Sequence, residues 1–346
     1  MTDIRNLILT SAIAVLLAPL ARAGHELSPP GKETKESKET APLREFFPDE
    51  PKSLTTIGVQ FSDHATGAYA DSITGLWSPQ GRDAFLFLNS RYHWEDNHEY
   101  ISSVGLGFRK LLADHDVIIG ANAYYDSLHG ASGSDFSQVG LGAEVLTKWV
   151  DFRFNYYLPD NEQPVTRRHT WVSEDDGGVR TRVFERREAA LQGFNSELGF
   201  LIPLPAQCGE YRILGGYYHY ENPFGGDFEG FKARFEARFL PGVIADVEYW
   251  DDAALMGGHW TAGMRVSVPF SIFNLVTGRN PFEGAGEMFT PRGREFKERL
   301  SDMVERSHRI QTVTSGDKVT EDHFEGLSGI RVVNGVVLGA NGLPLE

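Results

Sequence analysis

Residues 104–158 run VGLGFRKLLADHDVIIGANAYYDSLHGASGSDFSQVGLGAEVLTKWVDFRFNYYL. Within this stretch Gly105, Gly107 and Arg109 alternate with Val104, Leu106 and Phe108. Gly120, Asn122, Tyr124 and Asp126 alternate with Ile119, Ala121, Ala123 and Tyr125. Gly140, Gly142 and Glu144 alternate with Val139, Leu141, Ala143 and Val145, and Arg153, Asn155 and Tyr157 with Phe152, Phe154, Tyr156 and Leu158. Successive side chains of a strand point to opposite faces, so these residues make a sheet with one apolar and one polar surface. The solvent that each surface meets decides what class of protein this is.

Outward from that stretch, alternation recurs from Leu54 to Phe270. The expected strands are Leu54–Ser62, Tyr69–Trp77, Ala84–Trp94, Tyr100–Leu111, Asp116–Ser127, Phe136–Lys148 and Val150–Leu158. They continue with Glu188–Leu201, Tyr211–Tyr220, Phe228–Phe239, Val243–Trp250 and His259–Val268. That is about twelve, of the length a tilted membrane strand needs. Tight connections (Leu112-Ala113-Asp114-His115, the Trp149 corner, Leu240-Pro241-Gly242) alternate with longer polar ones, most obviously Pro159–Arg187 with Glu174-Asp175-Asp176. No crossover helix interrupts the series, which excludes a parallel α/β sheet.

After Phe270 the alternation stops. Gly293–Ile310 suits a helix, with Phe296, Leu300, Met303 and Val304 along one face and Glu295–Arg299 and Asp302–Arg306 as i,i+4 pairs. Arg331–Leu338 reads as a hairpin around Asn334-Gly335.

At the other end, Arg5 precedes an apolar stretch from Leu7 to Leu20, and Ala21-Arg22-Ala23 supplies a small-x-small cleavage pattern. A signal peptide over 1–23 is expected, in preference to an uncleaved anchor, because the apolar run is shorter than the ~20 residues of a spanning helix. Gly24–Ser53 is polar and rich in mixed charge, which predicts a disordered arm. Cys208 is the only cysteine, so no internal disulfide forms and no lipid-bearing cysteine follows the cleavage site. The net charge of −15 argues against nucleic acid as a partner. With 41% hydrophobic and 23% charged residues the chain would pass for soluble, as membrane barrels do when only alternate residues meet lipid.

Lipid outside and water inside is the arrangement that accounts for three features together. A closed sheet of about twelve strands has a lumen wide enough for charged side chains. Aromatics gather at strand ends on the apolar face, at Tyr92-Trp94, Tyr125, Tyr156 and Tyr249, where an interfacial girdle belongs. Glycines crowd the polar face, as a curved wall requires. A soluble β-sandwich with the apolar face inside is the alternative. On the strand around Lys232, Arg234, Glu236 and Arg238 the polar row is basic, and Asp246 and Glu248 follow on the next strand, so unlike charges are expected to pair.

The combination GLGFRKLLADHDVIIGANAYYD (Gly105–Asp126) and GLGAEVLTKWVDFRFNYYLP (Gly140–Pro159) resembles the β-domain of intimin- and invasin-type inverse autotransporters. The resemblance covers roughly Leu54–Phe270, and RLSDMVERSHRI (Arg299–Ile310) is similar to the segment those proteins carry just after the barrel. It implies an all-β fold: a closed antiparallel transmembrane barrel of about twelve strands over 54–270, followed by a short helical linker or plug and tail over 271–346. It further implies an outer-membrane location in a Gram-negative-type bacterium, with the N-terminus in the periplasm and the linker returning outward through the lumen. The implied partners are outer-membrane lipid, the barrel-assembly machinery with periplasmic chaperones, and a surface ligand taken by loops or tail. The segment after Phe270 is too short for an Ig-like passenger, and the arm too short for a peptidoglycan-binding module, so display of the tail itself is expected.

The lumen-lining candidates are Arg91, Arg109, Glu144, Arg153, Glu197, Lys232, Arg234, Glu236, Arg238, Asp246, Glu248 and Arg265; the linker or plug candidates are Phe296, Leu300, Met303 and Val304. The charges either brace the wall or hold the linker, and the two roles are compatible. A passive pore or structural barrel is the alternative function. A rim hydrolase would draw on His93, Asp96, His98, Asp126, His129, Asp251, Asp252 and His259, but no spacing singles out a nucleophile and base, and solvation alone gathers such residues. No catalytic, metal-binding or cofactor-binding residue is expected, and His93, Asp96 and His98 are too casual a set for a metal.

Overall fold

The computed structural model describes residues 53–338, apart from 64, 80–81, 176–177, 206–207, 253–256, 327–330 and 334–335. The expected signal peptide and arm therefore lie outside the described residues, with Ser53 alone as the exception.

Twelve antiparallel strands close into a barrel. In chain order they are β1 (Ser53–Ser62), β2 (Thr66–Trp77), β3 (Ala84–Glu95), β4 (Tyr100–Leu112), β5 (Val117–His129), β6 (Asp135–Thr147) and β7 (Val150–Pro159). After two strands that stand off the wall, β8 (Val165–Asp175) and β9 (Gly178–Ala190), the wall resumes with β10 (Gln192–Leu201). It finishes with β11 (Glu210–Glu221), β12 (Phe228–Leu240), β13 (Val243–Asp252) and β14 (Gly257–Phe270). β1 pairs with β14 from Ser53↔Phe270 to Ser62↔Thr261, so the wall has no free edge. Closure satisfies the backbone internally, which is the condition for crossing lipid with strands.

The faces fall as the alternation requires. Val104, Leu106, Phe108, Val139, Leu141, Phe152, Phe154, Phe235 and Val247 are exposed on the outer face, whereas Arg109, Asp126, Glu144, Asp151, Arg153 and Glu197 are buried. Aromatic residues crowd the outer face near both rims: Trp77, Trp149, Phe200 and Phe239 at one, Phe61, Tyr92, Tyr125, Tyr249 and Trp260 at the other. Trp94 and Tyr156 are half-buried. Inside, aromatic rings lie over glycines of the neighbouring strand. Gly105 is the cross-strand partner of Tyr124, and a Cβ on Gly105 would run into that ring. The glycine is there because the ring needs its place.

The structure departs from the sequence expectation in three places. Pro159–Arg187 is not a loop: β8 and β9 pair from Val165↔Arg187 to Asp175↔Gly178. The expected strand Glu188–Leu201 is two strands broken at Leu191, whose N–H leaves the wall to donate to the Gln311 carbonyl (2.8 Å). The two rims, accordingly, differ by this hairpin more than by general loop length: the rim with connections 63–65, 96–99 and 222–227 (the hairpin rim) is no looser than the rim with 78–83 and 202–209 (the turn rim).

The third departure is the segment after the wall. Two short helices, Ile272–Val276 and Ala285–Met288, precede a single 3₁₀ stretch at Phe296–Ser301 in place of the helix expected over Gly293–Ile310. It stops at Asp302, with ψ 150°. Arg109 Nη1 takes the Leu300 carbonyl (3.1 Å) and the Asp302 carbonyl, which a continuing helix would need for itself. The expected i,i+4 pairs are replaced by wall contacts: Arg299 turns to Asp151 and Arg306 to Asp126. Beyond Ile310 the chain enters β15 (Thr312–Thr314) and β16 (Lys318–Gly326), both antiparallel to β9, and then β17 (Arg331–Val333) and β18 (Val336–Leu338), which pair as a hairpin.

Candidate functional site

The lumen is filled by residues 296–311, which run along it from the turn rim to the hairpin rim. At the turn rim Arg299 donates to the Thr147 carbonyl (2.6 Å) and grips Asp151 with two nitrogens (2.9 and 2.7 Å). At the same rim Arg292 holds Glu298 (2.7 and 2.9 Å).

Leu300 and Val304 then drop into an apolar socket of Ile73, Phe85, Phe87, Ile118, Tyr124 and Leu146, with Phe296 and Met303 packed against its edge. All four plug candidates thus meet in one cluster, although no single helix presents all four. Phe85 and Phe87 are in phase with Asn89 and Arg91, so the inner face of β3 is apolar at the turn rim and polar beyond it. That switch within one polar row is a signal in the sequence that could have pointed to the socket, and the sequence expectations do not include it.

Past the socket the linker is held by charge. Glu305 accepts from Arg234 (2.8 Å) and Arg265 (2.7 Å), and Arg306 makes a bidentate pair with Asp126 (2.7 and 2.6 Å). The Arg306 guanidinium also lies 4.4 Å from the Tyr124 ring centre and 5.5 Å from that of Tyr157. Its side chain is 1% exposed and that of Asp126 0%, and planar, delocalised arginine is suited to such a stacked, forked burial. The Ser307 N–H donates to Tyr157 Oη (2.8 Å), Arg309 reaches Glu95 (3.3 Å) and Glu99 (2.7 Å), and Ile310 is buried among Ile101, Leu128, Phe136 and Ala190.

The twelve lumen candidates all point inward, but in two roles. Arg109–Glu144 (2.5 Å), Arg153–Glu197 (3.4 Å), Lys232–Glu197 (3.2 Å), Lys232–Glu248 (3.5 Å) and Arg91–Asp71 (3.6 Å) join wall to wall. Arg109, Arg234, Arg238 and Arg265 touch the linker as well. The expected pairing of unlike charges holds for Arg234↔Glu248 but not for Glu236↔Asp246, where two acids face each other and Arg265 serves both (2.9 and 4.0 Å). Cavities of about 300 and 280 Å³ remain on either side of Met303 and Glu305, both of which border each. The principal grips on the linker, Asp126 and Asp151, are missing from the candidate set. Each lies in phase with a polar row, Asp126 with Asn122 and Tyr124, Asp151 with Arg153, so alternation alone could have found them.

Among the described residues, the rim residues weighed for hydrolysis do not converge, and the Asp252 side chain lies outside the description. Asp126 is committed to Arg306, His129 faces Asp135 (2.6 Å) and His259 Nδ1 faces Asp63 (2.6 Å). Asp96 accepts from the Thr66 N–H (3.1 Å), His93 is buried, and Asp251 is exposed on β13. Among the described residues no group of three His, Cys, Asp or Glu is arranged to hold a metal, and no helix is long and apolar enough to cross a membrane.

This barrel, with its apolar exterior and charged lumen, is of the outer-membrane class. The family described as inverse autotransporter, beta-domain matches residues 40–227, more than half of the chain, and the chain belongs to that family. Among solved structures the fold is similar to a chain reported under "Unveiling the Mechanism Behind the in-meso Crystallization of Membrane Proteins" (TM-score 0.59, 14% identity, 77% of this chain and 100% of that one). More distant are an outer membrane channel from Pseudomonas putida F1 (TM-score 0.45, 12% identity, 71% and 100% covered) and the beta domain of the Bordetella autotransporter BrkA (TM-score 0.28, 12% identity, 63% and 98% covered). No curated protein sequence matches the chain. The protein is an outer-membrane β-barrel.

Proposed function

We propose that this barrel carries its own C-terminal segment across the outer membrane and holds it at the cell surface for interaction with another surface. One observation carries the proposal: the chain continuous with β14 enters at the turn rim, fills the lumen and emerges to pair with β9 at the hairpin rim. Outer-membrane barrels carry their long connections on the outer side, so the β8–β9 hairpin marks its rim as external. The wall and linker share their buried charges, so the linker is part of the folded lumen rather than a passing strand. Export by a cleaved signal peptide and insertion by the barrel-assembly machinery with periplasmic chaperones complete the proposal, and its mechanism requires no catalytic group. A tag placed after Glu346 tests it. Intact cells should bind antibody to the tag and lose it on mild proteolysis while the barrel stays in the membrane. A tag reached only after the outer membrane is broken would leave a porin or structural barrel as the better account.

A further inference from the structure

Beyond the wall, β8, β9, β15 and β16 form a four-stranded antiparallel sheet in which β9 lies between β8 on one side and β15 and β16 on the other. Alternation along β9 sets Arg180, Arg182, Phe184 and Arg186 on one face. The register places Trp171 and Asp322 beside Arg182, Phe324 beside Arg180, and His169 and Val319 beside Phe184. The Arg182 guanidinium lies 6.0 Å from the Trp171 ring centre and that of Arg180 5.8 Å from Phe324, while His169 and Phe184 stack at 5.0 Å with planes 6° apart. Trp171 and Phe324 are nearly half exposed, at 48% and 45%.

The same face carries a charge conflict. Arg167 on β8 and Arg186 on β9 are direct cross-strand partners. Like charges placed opposite one another destabilise a sheet. Asp317 offsets Arg186 (3.0 Å) and Asp322 offsets both Arg182 (3.1 Å) and Arg180 (3.7 Å), but among the described residues no acid pairs with Arg167. In a chain of net charge −15, this is a local surplus of guanidinium groups set between flat rings.

We propose that this sheet face binds an anionic polysaccharide. A sugar ring presents a face of C–H groups that packs on the electron-rich face of Trp171 or Phe324. Its carboxylate or sulfate is met by an arginine fork, which binds such groups through two parallel hydrogen bonds. The row from Arg180 to Arg186 extends roughly 20 Å at the rise of a strand, so a polymer lying along β9 meets rings and charges in turn. An acidic protein would use the charges alone and leave the rings idle.

The proposal takes only the outward direction of the sheet from the function proposed above, and its test does not depend on that direction. The full chain, purified in detergent micelles, is titrated with fluorescein-labelled alginate and sulfated dextran at low ionic strength, with neutral dextran as the control. Both anionic polymers should bind and neutral dextran should not. Arg167→Gln with Arg186→Gln, and separately Trp171→Ala with Phe324→Ala, should each weaken binding about tenfold, two exposed contacts being removed in each case. The substituted side chains lie off the wall, and unchanged heat resistance of the barrel checks that each variant is folded. Failure of the unaltered chain to bind either polymer overturns the proposal. So does an aromatic double variant that binds as well as the parent, or a single-stranded oligonucleotide that binds more tightly than alginate and displaces it. Binding in micelles together with an inaccessible tag on cells would sink the display function and leave the polysaccharide site standing.

Discussion

At the scale of single residues, the linker is held by a few side chains whose removal costs far more than an exposed ion pair would. Arg306 and Asp126 are fully buried and bound through two hydrogen bonds, so substituting one strands the charge of the other. Arg306→Ala or Asp126→Asn should weaken linker docking by about 3–5 kcal/mol, the cost of breaking a buried pair from one side. The measurement is the rate at which a protease site placed between Ser307 and Gln311 is cut in the purified barrel. It should rise steeply in either single variant, and a rate equal to that of the parent would show that the pair does not hold the linker. Gly105 makes a different demand on the wall. Because Tyr124 lies where its Cβ would be, Gly105→Leu should destabilise the barrel by roughly 1–3 kcal/mol through overpacking, seen as a lower unfolding temperature in detergent. These inward positions were legible in the sequence, since a period of two assigns every residue of a strand to a face. The partners were not, because alternation says nothing about which row of the wall a returning linker will meet.

At the scale of elements, local patterning was reliable for the wall and unreliable for everything the wall encloses or supports. Phe296, Leu300, Met303 and Val304 have helical spacing, yet only Phe296–Ser301 coils, because Arg109 captures the carbonyls that would extend the turn. Glu144 takes the Nε and Nη2 donors of Arg109, which leaves Nη1 for the linker carbonyls, and such a tertiary contact overrides helix propensity. The hairpin β8–β9 escaped notice because its polar and charged residues occupy both faces, which erases the apolar stripe that marks a strand. It nevertheless has a structural task, since β9 supplies the edge on which β15 and β16 form. Deleting residues 165–187 should therefore leave the barrel closed but release the tail. Limited proteolysis of the purified variant should cut between Lys318 and Gly326 several-fold faster than in the parent, β16 having lost its backbone pairing while β15 keeps its partners at 188–190. An unchanged cleavage pattern would mean that the tail is fixed by contacts other than β9.

At the scale of the whole molecule, closure of the wall and occupation of the lumen are separable. Twelve strands closed from β1 to β14 satisfy their own backbone, and no wall strand borrows a partner from the linker. The linker in turn supplies the socket-filling Leu300 and Val304 and the Glu305 carboxylate that sits between Arg234 and Arg265. Without it the two lumen cavities, which Met303 and Glu305 separate, would merge into one water-filled passage lined by charge. A chain truncated before Gly293 should insert as a barrel and conduct ions in a planar bilayer, whereas the full chain should be nearly silent. Arg306→Ala should lie between them, flickering open as the linker leaves its seat. If truncated and full chains conducted alike, the linker would not seal the lumen and the barrel would be a pore that happens to carry a tail. If the truncated chain failed to insert, the linker would instead be needed to assemble the wall. The graded series of full chain, Arg306→Ala and truncation keeps those two outcomes apart, because a substitution that leaves the wall intact tests the seal without testing assembly.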